Sequence, residues 1–420
     1  MTTQIGANWA GTYDYTAARL ESPTTVDELR AIMTTGDRMR ALGTRHSFND
    51  LADTSGTLVS LADFGDAPQL DAERMTVSVA PGIRYGDLAN WLQARGFALH
   101  NMGSLPHISV AGAIATATHG SGNRNGNLST AVSGLELMTG DGEVLTVDRA
   151  HPEFDGFVVA LGALGIVTRV TLDIQPTFDV RQDVYTDLPW SSALREYEAI
   201  TGSAYSVSLF TNWLGDSIEA MWLKTRMDGA EPTTMPPTLF GAVVASPGAQ
   251  RSIADGGDNM TVFGGFPGPW SQRLPHFRLE STPSNGDEIQ TEYFVDRARS
   301  SEALTAVRQL GEAIAPHLHI SELRTVAADD LWLSPAYRRE SLGIHFTWKN
   351  EPDAVRALLP RIQAVLAPFD ARPHWGKWNS LEAPDVAALY PRAADFARLA
   401  EQLDPRHRFR NRHLARVLGL

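Results

Sequence analysis

The sequence predicts an α+β fold in two domains, and three observations carry that expectation. Its 420 residues exceed one usual hydrophobic core, and a 43% share of apolar residues suffices to fill two. Up to about Pro176, short apolar runs alternate with helical stretches and glycine-rich turns. From there on the runs are longer and alternate apolar with polar residues, as strands of an antiparallel sheet with one polar face do.

Each element has a local reason. Thr25-Val26-Asp27-Glu28 after Pro23 is a capping box, in which hydroxyl and carboxylate satisfy each other's free backbone N–H groups, and Leu29–Met33 continue the helix. Strands are predicted at Met39–Leu42, Thr57–Leu61 and Thr76–Val79, and a helix at Tyr85–Arg95 that Gly96 stops. Gly140-Asp141-Gly142, between Leu135–Thr139 and Glu143–Val147, marks a hairpin, because Asp-Gly supplies the positive backbone angles of tight turns. Ile166–Leu172 is the last strand of this region. The later sheet is predicted from Tyr205–Trp213, Glu219–Arg226, Glu288–Asp296, Leu318–Arg324 and Gly343–Lys349. Helices are predicted at Ser301–Ile314 and Ala354–Leu366, Pro- and Gly-rich linkers at Pro232–Pro237 and Gly264–Pro269, and further helix after Lys377.

Composition closes several routes. A net charge of −13 argues against a nucleic-acid or anionic-membrane surface as main partner and favours a neutral or cationic small molecule. Without cysteine there is no disulfide, thiolate metal site or cysteine nucleophile. Met1–Tyr15 has no basic run followed by an apolar one, and Gly156–Val167 is too short to span a bilayer, so a soluble, cytoplasmic protein is expected. There is no strand–Gly-x-Gly-x-x-Gly–helix unit, P-loop or Gly-x-Ser-x-Gly. His317, His319 and Glu322 lack further ligands at metal spacing, so no metal is expected.

Two stretches complete each other. Leu42-Gly43-Thr44-Arg45-His46-Ser47-Phe48-Asn49 follows a short strand, and its glycine leaves backbone N–H groups free to line an anion-binding concavity suited to a diphosphate. Asn101–Gly112, running on to Gly122, is rich in small residues that let a flat ligand approach the backbone. Together they resemble the FAD-binding domain of the vanillyl-alcohol oxidase type, most nearly that of alditol and xylitol oxidases, over nearly all of the chain.

That resemblance implies an FAD-binding domain at 1–175, a substrate-binding cap with a large antiparallel sheet at 176–372, and a segment, 373–420, returning to the first domain. It implies FAD held by Ala41, Leu42, Gly43, Thr44, Arg45, His46, Ser47, Ser104, Ser109, Val110, Gly112, Ala113, Ile114, His119, Gly120, Ile166 and Val167, with His46 attached covalently to the flavin.

On the cap strands, alternation puts Glu322 with Arg324 on one face and His345 with Thr347 on one face, and a solvated outer face is the bland explanation. The segments Ser321–Asp329, His345–Trp348 and His374–Lys377 match those lining the polyol pocket of alditol oxidases. The resemblance therefore implies oxidation of a terminal hydroxyl of a polyol such as xylitol or sorbitol, with oxygen reduced to hydrogen peroxide by a monomer. Arg324 and Lys377 would surround the reacting hydroxyl, and Ser104, Glu322, His345 and Thr347 would hold the others. Gly103, where some relatives have alanine, would leave oxygen access to the flavin. The alternatives are a sugar-lactone (aldonolactone) oxidoreductase of the same superfamily and a flavin-free sugar-binding or metal-dependent protein. Trp378 bears on polyol length, and the basic run Arg406, Arg408, Arg410, Arg412 and Arg416 is read as a solvated helix face or an intramolecular partner for the acidic remainder.

Overall fold

In the computed structural model, which describes residues 5–35, 38–229, 235–245, 259–281, 284 and 286–420, the first element pair explains the next. β1 (Arg19–Glu21), α1 (Val26–Thr35), β2 (Met39–Leu42) and β3 (Thr57–Ser60) form a small parallel sheet with β3 central. Leu29 and Met33, one helical turn apart, are buried against Met39 and Val59. The Thr25 hydroxyl accepts from Glu28 N at 3.2 Å as read, but the Glu28 carboxylate reaches one residue further back, to Thr24 N at 2.7 Å.

β4 (Gln69–Asp71), β5 (Thr76–Val79), β7 (Val132–Met138), β8 (Val144–Asp148) and β9 (Ile166–Asp173) make a second, antiparallel sheet in the order β4-β5-β9-β7-β8. Between them lie α2 (Tyr85–Gln93), β6 (Phe97–Ala98), α3 (Val110–Ala115) and α4 (Phe154–Val158). The hairpin forms with Thr139 N bonded to Glu143 O at 2.9 Å, and the positive φ, +83°, sits on Gly142 and not on Asp141.

After β10 (Gln175–Pro176) the chain builds one large antiparallel sheet. Its order is β14 (Thr238–Leu239), β15 (Ala242–Val244), β11 (Asp179–Pro189), β13 (Ser217–Met227), β12 (Ser206–Thr211), β18 (Leu318–Val326), β19 (Ser341–Lys349), β17 (Glu288–Asp296) and β20 (Arg372–Pro373), with β16 (Gly268–Pro269) beside β11. One face is apolar. Leu323, Ile344 and Phe346 pack there with residues of α5 (Trp190–Thr201), α6 (Ser300–Arg308) and α8 (Pro352–Leu366), beside α7 (Gly311–Ile314). Side chains alternate along a strand, so Glu322, Arg324, His345 and Thr347 point to the opposite face, and all four are buried. The polar face meets protein, not water.

Several readings need correction. β11 and α5 were not assigned from the sequence, where the polar run Arg181, Gln182 and Asp183 breaks the alternation; Arg181 donates to Asp183 at 2.9 Å inside the sheet. The helix read at 301–314 is two helices, α6 and α7, divided at Gln309-Leu310. Of the two linkers, 232–234 lie outside the described residues, and Gly268–Pro269 contributes a strand.

The tail runs through α9 (Ala383–Leu389), α10 (Ala393–Leu403) and α11 (Arg412–Leu418) and packs on the first sheets. Asn411 Nδ2 donates to Leu51 O and Asp53 O at 2.9 and 2.8 Å, and Met39 N donates to Arg408 O at 2.8 Å. Its basic residues find partners within the chain: Arg410 pairs with Glu401, Arg406 lies 3.6 Å from Asp141, and Arg416 donates to Leu381 O at 2.9 Å. No helix among the described residues is long and apolar enough to cross a membrane.

Candidate active site

A cavity of about 750 Å³ runs between the first sheets and the polar face of the large one. One end is a backbone cradle. A Cβ on Gly43 would lie 2.5 Å from Ser109 Oγ and one on Gly112 2.9 Å from it, so side chains are excluded where the two glycine loops meet. Thr44 Oγ1 fastens the loops by accepting from Ser109 N at 3.1 Å. Arg45 takes φ +64°, and the amides of Thr44, Arg45, His46 and Ser47 have no acceptor among the described residues. Such unspent N–H groups suit an anion.

His46 stands at this cradle with Trp9 stacked on it at 5.4 Å and Nδ1 3.1 Å from Thr44 Oγ1, while its buried Nε2 has no partner among the described residues. Burial pushes its pKa down to about 4, so the imidazole is neutral. Arg40, which was not singled out from the sequence, builds the opposite wall. Its guanidinium donates to Leu161 O and Leu51 O at 2.6 Å, Gly162 O at 2.8 Å and Phe409 O at 2.9 Å, and burial lowers its pKa to about 10.

An orphaned imidazole nitrogen, a run of free amides, glycines that hold side chains away and a cavity of this size fit a flavin dinucleotide. Of the residues expected to hold it, Ala41, Leu42, Gly43, Thr44, Arg45, His46, Ser47, Ser104, Ser109, Gly112, Ala113, Ile114, His119 and Val167 line the cavity, as does Gly103. Val110, Gly120 and Ile166 do not. Val110 N is bonded to Ile83 O at 2.9 Å, Gly120 packs against Met102 O and Asn101, and Ile166 faces away into the core with Met39 and Phe409. Gly103 has no positive φ, and a Cβ there would meet only ordinary contacts at 3.6 Å, so the backbone does not demand glycine.

The other end is a buried ionic cluster. Arg324 Nη1 donates to Ser104 Oγ at 3.0 Å, and its Nε lies 3.5 Å from Glu322 Oε2 without hydrogen-bond geometry. His345 stands opposite Glu322 in the β18–β19 register. Burial, and next Lys377, lower its pKa to about 4; its Nδ1 accepts from Lys377 Nζ at 2.8 Å and its Nε2–H donates to Thr347 Oγ1 at 3.0 Å. Lys377 is carried by a loop tied to the cradle: Asn49 Nδ2 donates to Trp375 O and Lys377 O at 2.8 and 2.9 Å, and Phe48 N to Gly376 O at 2.7 Å. The sequence-predicted residues Ser104, Glu322, Arg324, His345, Thr347 and Lys377 thus share one wall of one cavity.

The centre of the cluster escaped sequence reasoning. Glu292 on β17 is 0% exposed, and its carboxylate lies 2.5 Å from Lys377 Nζ, 2.9 Å from His119 Nε2 and 3.3 Å from Arg324 Nη2. Burial alone would raise its pKa; Lys377, His119 and Arg324 outweigh burial and hold it well below the usual carboxylate range. Both nitrogens of His119 face acceptors, Glu292 Oε1 and Gly120 O at 2.8 Å, but burial, with Arg324 and Lys377 nearby, outweighs the Glu292 carboxylate and lowers its pKa. His276, bonded to Glu322 Oε1 at 2.7 Å, and His374 also line the cavity. Of the residues weighed as metal ligands, half-buried His317 pairs with Glu351 at 2.5 Å, while His319 and Glu322 line the cavity.

Comparison with known proteins agrees with this anatomy. Family profiles described as FAD binding domain and D-arabinono-1,4-lactone oxidase match residues 17–148 and 285–417. The chain is 42% identical to an alditol oxidase of a Streptomyces species over 100% of both chains. It is 28% identical to an L-gulono-1,4-lactone dehydrogenase of Mycobacterium tuberculosis over 99% of both, and 25% identical to the L-gulonolactone oxidase of Mus musculus over 98% of this chain and 97% of that one. In fold it is similar to cholesterol oxidase from B. sterolicum, with a TM-score of 0.78 at 16% identity, covering 99% of this chain and 96% of that one.

Proposed function

Because the chain belongs to the alditol oxidase family of FAD-dependent oxidoreductases, we propose that it oxidises a terminal primary hydroxyl of an alditol such as xylitol or sorbitol to the aldose, with one O2 reduced to H2O2. One observation carries the reading: a buried patch rich in hydroxyl partners lies at one end of a cavity whose other end is a flavin cradle. The amides of residues 44–47 and the small residues around Ser109 and Gly112 would hold FAD, with His46 as its covalent anchor; a neutral imidazole with an unbonded nitrogen supports that attachment. Bound there, the flavin supplies the hydride acceptor and passes the electrons to oxygen.

The chain's own groups do the rest. Arg324 and Lys377 stabilise negative charge on the reacting oxygen. Lys377 has spent two of its three N–H groups, on Glu292 and His345, which leaves one for a ligand. Ser104, Glu322, His345 and Thr347 take the remaining hydroxyls and so orient the carbon that loses hydride. Gly103 supports direct use of oxygen, since a side chain there is permitted by the backbone and yet absent.

The match to a lactone oxidase profile over residues 285–417 favours an aldonolactone as second candidate substrate. A peroxide-coupled panel separates the readings. Xylitol and sorbitol should exceed 1-butanol by roughly 10⁴ or more in kcat/KM, because an alkanol leaves the patch unpaired, and should exceed L-gulono-1,4-lactone. Preference for the lactone would reassign the enzyme, and loss of peroxide with turnover only on an artificial acceptor would make it a dehydrogenase.

A further inference from the structure

Lys224 on β13 is 1% exposed and lies outside the cavity, yet among the described residues its ammonium bonds only neutral acceptors. It donates to Leu274 O, to Pro275 O at 3.1 Å and to His276 Nδ1 at 3.0 Å, which uses all three of its N–H bonds. A buried cation without a carboxylate in contact is costly, so its retention calls for a reason.

The reason lies in what the lysine fixes. An ammonium cannot accept, so His276 Nδ1 must carry the lone pair and Nε2 the proton, and that N–H donates to Glu322 Oε1 at 2.7 Å. Burial, and next Lys224, lower the His276 pKa to about 4, consistent with a neutral ring in one tautomer. The same turn holds Ser104: His276 N and Phe277 N both donate to Ser104 O, at 3.0 and 3.2 Å, while Ser104 Oγ accepts from Arg324.

We propose that Lys224 is a positioning residue for alditol binding, aiming the Glu322 carboxylate through the His276 tautomer and seating Ser104 through the 274–277 turn. The inference rests on the alditol reading of the cavity. The charged and titratable groups facing Lys224 are His276 from the turn and Glu322 and Arg324 from β18. Burial lowers the lysine pKa to about 7, against Glu322 and with Arg324, so the ammonium is lost as pH rises through neutrality and the tautomer is then no longer imposed.

The test is Lys224→Met in the flavin-loaded enzyme. KM for xylitol should rise about tenfold or more, as for loss of a hydrogen bond to a charged group, with kcat changed far less because Arg324 and Lys377 remain. Wild-type KM should rise on going from pH 6 to pH 8.5, and Lys224→Met should show no such rise. Imidazole ¹⁵N NMR should report His276 as the Nε2-protonated tautomer in wild type and as a mixture in Lys224→Met. If Lys224→Met does not fold, His276→Leu should raise KM similarly and His276→Gln, which keeps an N–H for Glu322, should restore part of it. A folded Lys224→Met or His276→Leu with wild-type KM, or an unchanged His276 tautomer, overturns the proposal. Absence of xylitol turnover in wild type instead defeats the alditol reading, and the NMR result still tests the lysine's hold on His276.

Discussion

At the scale of single residues the site depends on Glu292, which is fully buried, pairs with two cations and bonds an imidazole ring. Removing one partner of a buried ion cluster leaves uncompensated charge and costs about 3–5 kcal/mol. Glu292→Gln should therefore lower the unfolding free energy, read from denaturant titration, by that order and depress turnover; a variant as stable and active as wild type would remove the carboxylate from the account. His46 has a chemical signature of its own. Acid-precipitated wild-type protein should stay yellow and His46→Ala should release its flavin, whereas a white wild-type precipitate rules out the covalent link. Gly103→Val, at a position the backbone leaves open to a side chain, should slow reoxidation of the reduced enzyme in aerated buffer without slowing its reduction. Equal reoxidation rates would leave Gly103 without a role toward oxygen.

At the scale of elements, what was legible followed from period two. Glu322 and Arg324, or His345 and Thr347, share a face on any straight strand, and the structure brings them together because β18 and β19 are neighbours with Glu322 opposite His345. Glu292 was not legible for the same reason: Glu288, Gln290 and Glu292 alternate like a solvated strand, and nothing local says that β17 lies beside β19, opposite His345. Lys224 and His276 belong to a strand and a turn whose meeting is equally non-local. The glycine loops were legible as loops, but the bonds from Asn49 to Trp375 O and Lys377 O, which join the cradle to the loop carrying Lys377, span more than three hundred residues. Asn49→Ala should expose that coupling. Two buried carbonyls lose their donor, at about 1–3 kcal/mol each, and turnover should fall while flavin content holds; a variant that loses flavin but keeps normal turnover per flavin would sever the proposed link.

At the scale of the whole molecule, the large sheet is covered on both faces, by helices on one and by the flavin-binding layers on the other, so its polar residues are protein interior. Acid sensitivity follows. His276 and His345 have pKa values lowered to about 4, against about 6.5 when unfolded, so between those pH values the unfolded chain binds more protons and stability falls as pH falls, by about 1.4 kcal/mol per pH unit for each proton taken up. Glu292 and Glu322, held below the usual carboxylate range, contribute stability that is complete above their unfolded pKa near 4.3 and is lost below it. Denaturant midpoints should thus decline already between pH 6.5 and 5; a flat profile there would mean that the two histidines are not held neutral. The central claim, that this interior wall acts on an alditol at the flavin, is met most directly by anaerobic stopped-flow reduction with xylitol, comparing wild type and Lys377→Met at equal flavin content. Wild type should bleach completely and Lys377→Met about a hundredfold to a thousandfold more slowly; similar rates, or a wild-type flavin that xylitol does not bleach, would contradict it.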